Sequence, residues 1–111
     1  MAGISTHVLN LTTGRPIAGM QVDLYDVAQS PPLRLTSTRT NADGRTDTPM
    51  LSAQAARTGQ FELRFHVGEH FKASDGLSDE VPVRFAIFDA AQHYHVPLLC
   101  SPWFFTTYRG S

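Results

Sequence analysis

The sequence predicts an all-β protein, an antiparallel β-sandwich with one short helix. Three observations carry that expectation: apolar residues recur with period two, turn-forming residues separate the alternating runs, and helix-competent segments are short. Met20, Val22 and Leu24 alternate with Gln21, Asp23 and Tyr25. Phe61, Leu63, Phe65 and Val67 alternate with Glu62, Arg64 and His66, and Val81, Val83, Phe85 and Ile87 with Pro82, Arg84 and Phe88. Such runs read as half-buried strands, because successive side chains of an extended chain point to opposite faces. Residues 4–9, 33–40, 94–99 and 103–108 read as strands of weaker pattern, interrupted by polar residues or proline. Thr13-Gly14-Arg15-Pro16 and Asn41-Ala42-Asp43-Gly44 supply turns through residues that tolerate a positive φ or preset a negative one. Ser30-Pro31-Pro32 continues neither a helix nor a central strand. Gly68 to Ala73 fits one or two helical turns ended by Ser74-Asp75-Gly76, whereas Ser52 to Arg57 is too short to be stable as an isolated helix.

At 111 residues, 41% of them hydrophobic, the chain reads as a single domain, 1–111, with one core that needs neither disulfide nor structural metal. Its one cysteine has no intrachain partner. Nine Lys and Arg against ten Asp and Glu give a net charge of -1 without a run of like charge, so neither nucleic acid nor an anionic membrane is expected as a partner. No apolar stretch approaches the ~18 residues of a membrane span. Residues 1–7 lack a basic segment followed by an apolar one, and the expected location is cytoplasmic. Eight of the nine basic residues are arginine, which fits a compositional bias better than anion recognition.

Five histidines raise the question of metal. His93-Tyr94-His95 puts two imidazoles on one face of a strand, about 7 Å apart at their Cα atoms. That supplies two ligands, where zinc takes about four protein ligands in a structural site and about three in a catalytic one. No Cys-x-x-Cys, His-Glu-x-x-His or Asp-rich loop adds the remainder. Taken alone, the pair fits surface or hydrogen-bonded histidines before catalysis, and catalysis before metal. His7 lies on the strand face opposite Ile4 and Val8, which suits an exposed strand histidine and a functional one equally. Arg45, just past the Asp43-Gly44 turn, is by position an ordinary solvated cation. Cys100 ends the apolar run from Val96, where burial raises a thiol's pKa and quiets it. Neither Gly-x-Ser-x-Gly nor a glycine-rich phosphate loop is present. The aromatic approach to the end of the chain, Trp103, Phe104, Phe105 and Tyr108, suggests a docked terminus that delivers a guanidinium, Arg109, and a carboxylate to a fixed place.

Three stretches together resemble the transthyretin-related 5-hydroxyisourate hydrolases: Ser5-Thr6-His7-Val8-Leu9 with Gly14-Arg15-Pro16, His93-Tyr94-His95-Val96-Pro97-Leu98-Leu99 with Ser101-Pro102, and Tyr108-Arg109-Gly110-Ser111. Thr40-Asn41-Ala42-Asp43-Gly44-Arg45 and Gly68-Glu69-His70-Phe71 support the likeness, which spans the chain. It implies two four-stranded sheets with a short helix, and a homotetramer, a dimer of dimers, with a channel between the dimers. It also implies hydrolysis of the cyclic amide of 5-hydroxyisourate in urate catabolism. By position, the catalytic groups would be His7, Arg45, His95 and Ser111, with Tyr108, Arg109, Gly110 and His93 binding substrate or lying close behind. Asn10, Cys100 and Trp103-Phe104-Phe105-Thr106 depart from the family pattern at positions that carry no proposed chemistry.

Two imidazoles and a guanidinium suit amide ring opening, which needs an activated water, a stabilised oxyanion and a proton for the leaving nitrogen. The scheme uses no cofactor and no metal, and it makes zinc an inhibitor rather than a helper. Two rivals remain at this level: a transthyretin-like carrier that binds without turnover, and a metal module built from three converging histidines among His7, His66, His70, His93 and His95.

Overall fold

A computed structural model describes residues 2–71, 76 and 79–110. Within them the chain forms ten strands, one short α-helix and one 3-10 turn over Ala53–Ala55: β1 Gly3–Ser5, β2 Val8–Asn10, β3 Arg15–Pro16, β4 Gln21–Asp26, β5 Leu33–Arg39, β6 Gly59–Phe65, α1 Val67–Phe71, β7 Val81–Ile87, β8 His93–His95, β9 Leu98–Cys100 and β10 Phe105–Thr107. Residues 72 and 73 of the expected helix lie outside the described residues. One sheet has the order β5-β4-β6-β7 and is antiparallel throughout; a second has the order β10-β9-β2-β3, with the pair β1-β8 beside it. The result is the expected all-β sandwich of two four-stranded sheets.

The three runs with the clearest alternation form adjacent strands of the first sheet, β4 and β6 in its middle and β7 at one edge. Val22 and Leu24 of β4, Phe61, Leu63 and Phe65 of β6, and Val81, Val83 and Ile87 of β7 are buried. They meet Ile4, Val8, Tyr94, Val96 and Leu98 in a single core. On the opposite face of that sheet two carboxylates are also buried, Asp23 and Glu62. Buried charge requires partners. Asp23 accepts from Ser37 and, at 2.9 Å, faces His66 Nε2; Glu62 is held by Arg64 at 2.6 Å and Arg84 at 3.2 Å. The Arg64 guanidinium in turn covers the Tyr25 ring, 3.8 Å from its centroid. A layer of paired polar side chains thus covers a face that alternation alone would leave open to water.

Of the weaker runs, 33–40 forms the single strand β5, whereas those that carry His7 and the His93-Tyr94-His95 motif are interrupted. The first divides into β1 and β2 and the run 94–99 contributes to β8 and β9, with parallel pairing in both halves: Gly3, Ile4 and Ser5 against His93, Tyr94 and His95, then Val8, Leu9 and Asn10 against Leu98, Leu99 and Cys100. Between the halves Val96 donates to the Ser5 carbonyl at 2.9 Å and Leu98 to the His7 carbonyl at 2.9 Å. Pro97 has no N–H to give, so the regular ladder breaks there. Thr6 fills the gap, its buried hydroxyl donating to the Val96 carbonyl at 2.7 Å. Residues 3–10 and 93–100 are therefore one long parallel pair with an interruption, inside a sandwich whose other pairings are antiparallel. The last run is a strand only over Phe105–Thr107; Trp103 and Phe104 precede it as exposed residues.

Leu24→Ala empties a fully buried site at the centre of the core and should cost about 2–5 kcal/mol in urea unfolding. Leu33→Ala, at a position 47% exposed, should change stability by about 0.5 kcal/mol or less. Equal effects at the two positions would contradict the core assignment.

Candidate active site

The parallel pair carries a set of polar groups on the side that faces away from the core. Ile4, Thr6 and Val8 are buried, while Ser5 and His7 are half-buried on the other face; Tyr94 is buried between half-buried His93 and His95. The register sets Ser5 beside His95. Ser5 Oγ consequently sits between the two rings, 2.7 Å from His93 Nε2 and 2.8 Å from His95 Nδ1. His93 Nδ1 lies 3.2 Å from the Ala2 carbonyl oxygen.

Arg45 reaches the same face from the Asn41–Gly44 turn. Asn41 Oδ1 accepts from the amides of Asp43 and Arg45, and the Arg45 carbonyl accepts from the Asn41 amide at 2.7 Å. Gly44 has φ +75°, and a Cβ there would stand 2.5 Å from the Val8 carbonyl oxygen and 3.3 Å from His7 Cδ2. Only glycine lets the turn lie this close to β2, where Val8 donates to the Gly44 carbonyl at 2.8 Å. Arg45 and His7 then form an antiparallel bridge, and His7 Nε2 lies 2.9 Å from the Asp43 carbonyl oxygen. The described residues offer the exposed Arg45 guanidinium neither a hydrogen bond nor an ion pair.

The end of the chain meets the other side of His95. Gly110 pairs with His95 through an isolated bridge, its amide donating to the His95 carbonyl at 2.7 Å. A Cβ on Gly110 would stand 2.7 Å from His95 Cδ2, so a side chain there would displace the imidazole. Arg109 anchors this segment. Its guanidinium donates to Gln92 Oε1 at 2.9 Å and to the His93 carbonyl at 3.1 Å, and lies 4.1 Å from the centre of the Tyr94 ring. Tyr108 is exposed and, with Arg109, Val83, Phe85, Phe88 and Tyr94, lines a separate groove of about 330 Å³. Ser111 lies outside the described residues.

The structure therefore brings His7, Arg45, His93, His95 and Gly110 to one face, and gives Arg109 and Tyr108 contacts beside it rather than within it. In the sequence Ser5 stands out only as part of the Ser5-Thr6-His7 motif. The available signal was its place two residues before His7 on the same strand face. The other two histidines stay apart from this group: His66 pairs with Asp23 on the first sheet, and the His70 ring packs edge-on against Phe71. Among the described residues no three His, Cys, Asp or Glu side chains form a group able to hold a metal ion. Burial pushes the Cys100 thiol up to about 11, which leaves it protonated and unreactive at neutral pH.

Electrostatics favour a neutral imidazole at His95. Burial lowers its pKa, and the positive Arg45 guanidinium and the His7 and His93 rings lower it further. A histidine that stays unprotonated below its ordinary range is available as a base throughout the physiological range.

Comparison with known proteins gives one picture over the full length. Residues 4–110 match the model of the HIUase/Transthyretin family. A 5-hydroxyisourate hydrolase from Deinococcus radiodurans is 42% identical over 114 residues, covering 98% of this chain and 96% of that protein. The structure of a Klebsiella pneumoniae 5-hydroxyisourate hydrolase superposes with a TM-score of 0.83 at 31% identity, over 100% of this chain and 94% of that one. A crystal structure of (S)-allantoin synthase superposes with a TM-score of 0.89 at 35% identity; 98% of this chain matches, yet it spans only 43% of that longer protein.

In an NMR titration of the folded protein, His95 should titrate below the ordinary histidine value of about 6.5. Arg45→Ala should move its midpoint upward, because one source of positive potential is gone. A midpoint at or above 6.5, unmoved by the substitution, would contradict the electrostatic reading.

Proposed function

The chain belongs to the HIUase/Transthyretin family, and from that premise we propose that it is a 5-hydroxyisourate hydrolase of urate catabolism. It opens the six-membered ring at the cyclic amide to give 2-oxo-4-hydroxy-4-carboxy-5-ureidoimidazoline. The observation that carries this reading is the convergence of His7, Arg45 and His95 on one polar face, with Gly110 packed against the His95 ring.

In this mechanism His95 is the base. Its Nδ1 is engaged by Ser5, so Nε2 is the nitrogen left to face a water molecule. His7 is held through Nε2 by the Asp43 carbonyl, leaving Nδ1 to accept the water's second hydrogen and aim its oxygen. His95 takes a proton as that oxygen adds to the amide carbonyl carbon. The negative charge gathering on the former carbonyl oxygen meets the Arg45 guanidinium, a permanently charged donor with no competing partner among the described residues. Collapse breaks the carbon–nitrogen bond, and the proton held by His95 passes to the leaving nitrogen. Ser111, the remaining group that the family resemblance draws in, contributes its hydroxyl to the substrate. Arg109, through Gln92, the His93 carbonyl and Tyr94, keeps Gly110 in place, and Tyr108 forms part of the surrounding wall.

The enzyme acts as a cytoplasmic homotetramer, a dimer of dimers, in which a second pair of protomers covers this face and turns it into a channel. No helix among the described residues is long and apolar enough to cross a membrane. A carrier of apolar ligands is a poorer fit, since such a ligand would have to strip water from imidazoles and a guanidinium without replacing their hydrogen bonds.

Mixing the protein with freshly generated 5-hydroxyisourate should accelerate its ultraviolet decay over a buffer control, and Arg45→Ala should lower kcat/KM by roughly a hundredfold or more. Decay no faster than in buffer would refute the activity. A loss below about threefold in the variant would refute the oxyanion role, far short of what removal of such a donor costs.

A further inference from the structure

We propose that Ser5 is a positioning residue for the hydrolysis: with His93 and the Ala2 carbonyl it forms a one-way chain of hydrogen bonds that places the His95 proton on Nδ1 and keeps Nε2 as a lone pair. The inference rests on the hydrolase reading for its consequence in catalysis, while the chain of hydrogen bonds stands on geometry alone.

The direction of the chain follows from which atoms can donate. A carbonyl oxygen only accepts, so the contact of 3.2 Å between His93 Nδ1 and the Ala2 oxygen requires a hydrogen on Nδ1. Neutral His93 then has a lone pair on Nε2, which accepts the Ser5 hydroxyl hydrogen across 2.7 Å. A serine has one hydrogen to give. Having donated it to His93, Ser5 Oγ can only accept at its second contact, and the group 2.8 Å away on that side is His95 Nδ1. That nitrogen must carry the hydrogen, and with both rings neutral no other arrangement satisfies the three contacts. His95 Nε2 is left unprotonated.

This matters because a neutral histidine free in water prefers the opposite tautomer, with its hydrogen on Nε2, where it could donate but not take a proton. The usual device for fixing a functional imidazole is a carboxylate or carbonyl at one ring nitrogen. Here a neutral hydroxyl does so, and it can do so only because its own hydrogen is committed elsewhere. His93 thereby acquires a function without touching the substrate: its ring occupies the serine's hydrogen and passes the polarity of the Ala2 carbonyl to His95. The arrangement requires a small hydroxyl side chain set beside His95 by the parallel register, between rings two residues apart on one strand face.

Nitrogen-15 spectra of the histidine rings test the chain without substrate. In the wild-type protein at neutral pH, His95 should show a protonated Nδ1 and an unprotonated Nε2. Ser5→Ala, which removes both contacts, should shift His95 toward the Nε2-protonated form and lower kcat/KM by about tenfold or more, the order expected when a partner that orients a functional histidine is lost. The loss should fall on kcat rather than KM, and Ser5→Thr should restore both tautomer and rate. A wild-type His95 already protonated on Nε2, or a folded Ser5→Ala protein with an unchanged tautomer, would overturn the proposal. Failure of the wild-type protein to hydrolyse 5-hydroxyisourate would refute the function instead and leave the nitrogen spectra to decide the chain.

Discussion

Everything proposed for this protein depends on the register in which residues 3–10 lie alongside residues 93–100. Side chains on a strand alternate between faces, so a slip of one residue would turn Ser5 and His7 into the core and push Ile4 and Val8 out. The register is held at both levels. Ile4, Val8 and Leu98 are fully buried on the inner face, and the Thr6 hydroxyl closes the break opposite Pro97 by donating to Val96. The pair is parallel, which no hairpin can join. Most of the chain serves as the crossover between its two halves, and the order of closing that loop is repaid only when the whole sandwich has formed.

The same strands build both core and site, and this division by residue parity gives the site its rigidity. His7 and His95 occupy positions whose immediate neighbours in sequence are packed inside, and His93 adjoins the buried Tyr94. Functional groups carried on such strands hold their geometry better than groups on loops. Arg45 is the one loop-borne member, and its turn is fixed by the Asn41 side chain and by a glycine at the only conformation that fits against β2. Burial lowers the His95 pKa most, and the approach of a guanidinium adds to it: the ring stays neutral and able to accept a proton, while the cation remains available for negative charge that develops during reaction.

Much of the fold was legible from periodicity. Strands β4, β6 and β7 coincide closely with the runs that alternate cleanly, because each has one face in the core. What periodicity could not show was the burial of Asp23 and Glu62, since it describes one strand at a time and their partners, Ser37, His66, Arg64 and Arg84, come largely from neighbouring strands and the segment that follows. Nor could it show the parallel pairing, because Ser5 and His93 are 88 positions apart and nothing local encodes their register. For the site, the motifs identified His7, His93 and His95, and their resemblance to a known family drew in Arg45; the turn that carries Arg45 otherwise looks like any solvated turn. Arg109 reads in sequence as a substrate cation, whereas the structure gives its guanidinium protein partners at the neck of the tail. The role of Ser5 is not legible in the sequence because it arises from two contacts that exist only once both strands are paired.

The central claim is that His95 and Arg45 act together on one substrate from one face. A double-mutant cycle on kcat/KM for 5-hydroxyisourate, comparing His95→Ala, Arg45→Ala and the double variant, tests it most directly. Groups that serve the same transition state lose their effect together, so the double variant should be little worse than the more damaged single one. Losses that multiply in full, as for two independent sites, would contradict the account.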